Sequence, residues 1–141
     1  MKHERTIYIT NFDLERLKIL IKLSKVNDSE NKGNVQQLVE KINRAKVVHS
    51  DSIPLDTVTM NSKVHLADLD SGMDITIRLV FPKDADVKNG RISVTTALGT
   101  SLLGCRKGDI AEWQVSSSNI KFRAKIIEIL YQPEKYGHRN M

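Results

Sequence analysis

Apolar residues return every three or four positions through two early stretches of the chain. In TNFDLERLKILIKLSKV they are Leu14, Leu17, Leu20 and Ile21. In VQQLVEKINRAK they are Val35, Leu38, Val39, Ile42 and Ala45, at i, i+3, i+4, i+7 and i+10. This period predicts two amphipathic helices, over residues 10–26 and 35–46. Thr10 stands three residues before Asp13, and Asn34 three before Gln37, as N-terminal capping pairs. The polar run NDSENKGN between the stripes predicts a loop. Two helices joined this closely are expected to pack antiparallel, as a hairpin arm about 20 Å long at ~1.5 Å per residue. Ahead of them, TIYIT reads as a short extended piece.

The period then changes. VVHSDSIPLD reads as a linker, and from Thr57 onward alternation replaces the helical repeat. Val58, Met60, Ser62, Val64 and Leu66 fall on one face of a first strand, and Ile75, Ile77, Leu79 and Phe81 on one face of a second. Pro82 ends the second strand, because proline has no N–H for the ladder. RISVT, IAEWQV and IKFRAKIIEILYQ are further strands, with a short helix in LGTSLLG. Gly104 reads as its C-cap and Gly108 as a turn residue. The parity of the last strand slips near Ile126 and Ile127, which predicts a bulge or a strong twist. The pattern predicts an α+β protein: a helical hairpin, then a small, mostly antiparallel sheet with one short helix. No internal repeat is present.

Composition bounds this picture rather than changing it. At 141 residues, with 40% hydrophobic and 28% charged residues, the chain is sized for one ordinary core. MKHERTIYIT has no apolar segment of a secretory signal and no apolar run approaches a membrane span, so a cytoplasmic, non-membrane protein is expected. A single cysteine fits a reducing compartment. The balance of 22 basic against 17 acidic residues leaves a charge of +5, enough to attract an acidic surface or a nucleic acid. The scattered basic residues and few aromatics argue against a dedicated nucleic-acid module.

Candidate chemistry is sparse. His3, His49, His65 and His138 lie far apart and Cys105 has no CxxC partner, so no metal site is expected. Cys105 follows Leu102, Leu103 and Gly104 with no histidine near in sequence, which suits an apolar filler better than a nucleophile. The glycines of ALGTSLLGCRKGD match neither phosphate-loop pattern. Lys121, Arg123 and Lys125 form a basic stripe on the last strand, read as a solvated face. Asp28 and Glu30 place two carboxylates at the tip of the expected hairpin, where they could assist a Mg²⁺ held by a partner. Asp84 and Asp86 follow the second strand in a loop closed by Asn89-Gly90, either a recognition patch for a basic partner or turn formers.

The stretches DTVTMNSKVHLADLDSG, GRISVTTALGTSLLGCRKGD and ILYQPE together resemble the GreA/GreB transcription-factor family, in particular its Rnk branch, named as regulators of nucleoside diphosphate kinase. The resemblance runs from about Ile7 to about Tyr136. It implies a coiled-coil hairpin over residues 1–50 and an FKBP-like domain over 51–141. It also implies a non-enzymatic regulator, without cofactor, that docks as a monomer on bacterial RNA polymerase at the rim of the secondary channel, any contact with nucleic acid being indirect. The contacts implied are Asp84, Asp86 and Ser93, with Asn89 and Gly90 fixing their loop. In the longer members an acidic tip supports transcript cleavage. Here the arm is several turns shorter, so the expectation is competition with Gre factors or DksA without cleavage. The two alternatives are a true cleavage factor acting through Asp28 and Glu30, and an FKBP-like prolyl isomerase, which the few aromatics disfavour.

Overall fold

The computed structural model describes residues 6–24, 32–114 and 120–137. Strand β1 (Tyr8–Thr10) runs straight into helix α1 (Asn11–Ser24), and helix α2 (Lys32–Arg44) leads into strand β2 (Lys46–Val48). β1 and β2 pair in parallel, Tyr8 opposite Lys46 and Thr10 opposite Val48, so the two helices are inserted between the strands of a small ribbon. The remaining strands are β3 (Lys63–Asp68), β4 (Asp74–Val80), β5 (Arg91–Ser93), β6 (Ile110–Gln114) and β7 (Lys121–Tyr131), with helix α3 (Ala97–Leu102) between β5 and β6. They form one sheet in the order β5-β4-β3-β7-β6.

The helical stripes are buried as their spacing requires. Leu17 and Leu38 are fully enclosed and Ile42 nearly so, in the same core as Val58, Val64, Leu66, Leu79 and Ile126. Helices and sheet thus share one apolar core. The Thr10 cap forms, its hydroxyl accepting from the Asp13 N–H at 3.0 Å. The second cap does not: α2 begins at Lys32, which puts Asn34 inside the helix. The expected linker also carries structure, since it overlaps β2 and a 3-10 turn at Ser50–Ser52.

Two further differences lie in the sheet. The first strand begins at Lys63 rather than Thr57. Before it the chain turns at Asn61, whose φ of 69° is left-handed, and the Thr59 and Ser62 side chains bond each other at 2.9 Å. Val58 and Met60 are buried all the same, from a loop rather than a strand. The pairing is antiparallel except at β4–β5, which is parallel, because a loop of two 3-10 turns carries the chain back to the start of β4's neighbour. The parity slip in the last strand is real. Leu66 faces Ile126 and His65 faces Glu128, so Ile127 is an extra residue, and Leu130 is a second one between Ile129 and Tyr131. Two such bulges strengthen the twist and let β7 curl while returning Ile126 and Ile129 to the core side.

The glycine-containing short helix is held by its own threonines. Thr96 caps α3 by accepting from the Gly99 N–H at 3.0 Å, and donates to the Ser93 carbonyl at 2.8 Å. Thr100 donates to the Val94 carbonyl at 2.6 Å. Gly99 lies directly on the Ser93–Val94 backbone, with no room for a Cβ. ALGTSLLG is a packing element clamped against β5.

A candidate docking loop and its supports

The loop that leaves β4 begins at Phe81 and Pro82. Proline opens a 3-10 turn over Pro82–Asp84, where its missing N–H costs nothing. A second 3-10 turn, Val87–Asn89, ends at Gly90, whose φ of 73° is left-handed. Asp86 and Arg91 clasp its base through two backbone bonds of 2.9 Å. The Asn89 side chain donates to the Asp86 carboxylate at 2.6 Å, and the Gly90 carbonyl accepts from the Arg78 N–H at 2.8 Å. Asp86, Asn89 and Gly90 are therefore joined in one hydrogen-bonded unit at the base of the loop. Asp84 is exposed and Asp86 half-buried. Ser93 is brought to the foot of the loop, not to its surface. It is 7% exposed and its hydroxyl is shared with Thr95 at 2.7 Å. Asp28 and Glu30 lie outside the described residues.

The structure adds groups that the sequence reading missed. Val87 stands at the loop apex with 78% of its surface exposed, between Asp86 and Lys88. At the other end, Phe81 packs under the Arg16 guanidinium of α1, 4.8 Å from the ring centre, and Phe12 lies 4.4 Å away. Arg16 pairs with Asp13, whose other oxygen accepts from the Met60 N–H at 3.0 Å. Asp13 is 1% exposed, and burial pushes its carboxyl up against the opposing pull of Arg16 and its hydrogen bonds. Close by, the Thr59 hydroxyl donates to Glu134 at 2.7 Å, and burial raises that carboxyl too. This buried polar cluster ties α1 to the sheet beside the root of the loop. A one-turn periodicity argument sees Asp13 only as a first-turn acid, so nothing local signals its long-range partner.

On the opposite side of α2 a cleft of about 850 Å³ opens between α2, α3 and β6. Lys41 crosses into it and donates to the Thr100 and Ser101 carbonyls at 2.8 and 2.9 Å, closing the C-terminal end of α3. Burial pushes this amine down to about 8. The Cys105 thiol donates to the same Ser101 carbonyl at 3.2 Å, and burial pushes its pKa up, away from thiolate reactivity. Among the described residues the cleft lining has no aromatic ring, and no three His, Cys, Asp or Glu side chains converge as a metal site would need.

Lys41 makes stability depend on pH in a definite direction. A lysine whose folded pKa is depressed contributes most above its ordinary value of 10.5, and the contribution is lost as pH falls through about 8. Urea unfolding should show the wild type gaining about 2 kcal/mol more between pH 7.5 and 9.5 than Lys41→Met does. Equal slopes for the two proteins would contradict this.

Comparison with known proteins fits this architecture. The family model described as "Transcription elongation factor, GreA/GreB, C-term" matches residues 53–131, and "Rnk N-terminus" matches residues 5–48. The regulator of nucleoside diphosphate kinase of Escherichia coli (strain K12) is 32% identical over 133 residues, 94% of each chain. The transcription elongation factor GreA of Christiangramia forsetii is 33% identical over 95 residues, which cover 67% of this chain but 59% of that one. A solved structure titled as a prokaryotic transcription elongation factor GreA/GreB from Nitrosomonas europaea superposes with a TM-score of 0.73 at 35% identity, over 89% of this chain and all of the other. No described helix is long and apolar enough to cross a membrane. With its α+β fold, its β-sheet half and its N-terminal half all accounted for in this way, the chain belongs to the GreA/GreB family, with an N-terminus of the Rnk type.

Proposed function

We propose that this protein is a cytoplasmic, monomeric, non-enzymatic regulator of bacterial RNA polymerase. It docks at the secondary-channel rim and competes there with Gre factors or DksA without stimulating transcript cleavage. In this reading residues 1–50 form the short hairpin arm and residues 51–141 the FKBP-like docking domain. The observation that carries the reading is the braced loop after β4. Asp84 is exposed at the end of the first 3-10 turn, Asp86 is tied to the Asn89–Gly90 turn through Asn89, and Val87 adds an exposed apolar group between Asp86 and Lys88. A rigid loop with two carboxylates suits a basic helical surface, because charge complementarity sets encounter and register while the apolar tip is buried. Ser93 serves from beneath, through Thr95 and the Gly99 contact, rather than at the surface.

The short arm argues against cleavage. α1 has 14 residues and so spans about 21 Å. A carboxylate that supports a catalytic Mg²⁺ must come within ~2.0–2.6 Å of it, which the reach of Asp28 and Glu30 from the channel rim does not favour. The cleft beside α2 lacks the ring-lined wall expected for a bound proline. The test is binding to core RNA polymerase with GreB as competitor. The wild type should displace GreB, and Asp84→Lys with Asp86→Lys should weaken it by at least about tenfold. Displacement unaffected by the double substitution would remove these contacts. Cleavage of backtracked RNA that is lost in Asp28→Ala with Glu30→Ala would replace this reading with that of a cleavage factor.

A further inference from the structure

The register of the sheet assembles a charged row that is not evident from any one strand. Arg91 on β5 lies opposite Arg78 on β4, Arg78 opposite Lys63 on β3, and Lys63 opposite Tyr131 on β7. Directly opposed residues share a face, and neighbouring strands are ~4.8 Å apart, so three cations and a ring cross the outer face at one level within about 15 Å. Like charges opposed in this way destabilise a sheet. Among the described residues neither Lys63 nor Arg91 forms an ion pair. Arg78 donates to the Asn61 carbonyl at 3.0 Å and lies 5.2 Å from the Tyr131 ring centre. Carboxylates in the same part of the molecule have other partners: Asp86 with Asn89, Glu128 with Lys107, Asp56 with Arg106 and Asp74 with His65.

The row ends on an aromatic stack. Tyr131 and Tyr136 lie nearly parallel, 7° apart with centres separated by 5.6 Å. Tyr136 keeps 55% of its surface exposed, and the Lys135 amine sits 5.9 Å from its ring centre. These contacts hold Arg78 and the ring stack in place, but leave Lys63 and Arg91 exposed on the same level and more than half of the Tyr136 surface in water.

We infer that the row Arg91–Arg78–Lys63, with Tyr131, Tyr136 and Lys135, binds single-stranded nucleic acid, its phosphates along the cations and a base against Tyr136. Both halves of such a site are present: positive charge in a line, in which Lys63 and Arg91 form no ion pair among the described residues, and a ring on which any base can stack. An acidic peptide would use the cations but would leave the ring stack without a role, so nucleic acid is the better match. The inference stands apart from polymerase docking, because it needs only the purified chain.

The test is fluorescence anisotropy with a fluorescein-labelled single-stranded 12-mer, as RNA and as DNA, titrated with the full-length protein at several salt concentrations. Saturable binding at low salt is expected. Tyr136→Ala should weaken it about tenfold at each salt concentration, while Tyr136→Phe retains it. Lys63→Ala with Arg91→Ala should reduce the slope of log affinity against log salt by about 1.4, two phosphate contacts at ~0.7 each. Unchanged melting midpoints in these surface variants would tie the losses to the site. Three results would overturn the inference: no binding by the wild type at low salt, undiminished binding by Tyr136→Ala, or displacement of the 12-mer by polyglutamate as effective as by unlabelled 12-mer. The relative affinity of the RNA and DNA forms identifies which the row prefers.

Discussion

Gly99→Ala should lower the stability of the protein by about 3–4 kcal/mol and its melting midpoint by about 10 °C. The cause is steric and has nothing to do with helix propensity, which favours alanine. An added methyl would meet the Ser93 carbonyl oxygen and the Ser93 and Val94 backbone, none of which is the end of a flexible side chain. Relief would require α3 to lift from β5, and α3 is held there by Thr96 on the Ser93 carbonyl and Thr100 on the Val94 carbonyl. Ser101→Ala, at a half-buried position on the same helix, is the control and should cost under about 1 kcal/mol. Denaturant unfolding followed by circular dichroism measures both. A Gly99→Ala protein as stable as the control would show that α3 is not clamped as described.

Asp13→Ala should cost about 3 kcal/mol and loosen the attachment of α1 to the sheet. It leaves the Met60 N–H buried without its acceptor and removes the Asp13 partner of Arg16. Asp13→Asn retains a carbonyl oxygen for Met60 and should cost about 1 kcal/mol. The two variants differ in a second way. Because burial raises the Asp13 carboxyl, the wild type gives up part of its stability as pH climbs through the raised value, and the asparagine protein has no such group. The gap between wild type and Asp13→Asn should therefore narrow as pH rises above the ordinary carboxylate value of 3.8. Hydrogen exchange would place the lost protection in Asp13→Ala at the start of α1 and at Met60. Loss spread evenly over the molecule would mean that the contact is not a local tie.

What could be read without coordinates was whatever depends on near neighbours in sequence. The stripes around Leu17, Leu38 and Ile42 point inward because a helix repeats every 3.6 residues, and the Thr10 cap is a contact over three positions. Even the bulge at Ile127 was visible, since two adjacent apolar residues break a period of two. The misses have a common physical origin. β2 is three residues long with Val47 half-exposed, and exists only because β1, nearly forty residues earlier, offers it a partner. The turn at Asn61 hides behind Val58, Met60 and Val64, which are buried for different reasons. At the candidate loop, Asp86, Asn89 and Gly90 sit in turns that local chemistry signals, whereas the burial of Ser93 depends on Val80 opposite it and on Gly99 packed against it, and has no signal in its own neighbourhood. The row from Arg91 to Tyr131 depends on three registers at once, so it could not be found by scanning one strand.

The ribbon that brackets the helices makes the N-terminal half an exchangeable cassette. Both ends of the helical segment are anchored within three residue pairs, Tyr8 to Thr10 against Lys46 to Val48, while Asp13 and Lys41 pin each helix near its anchored end. Adding the same number of whole turns to both helices beyond Leu17 and Leu38, which are enclosed in the shared core, would lengthen the helical segment by about 5.4 Å per turn and leave those buried contacts in place. Length and seating of the helical segment can thus vary independently.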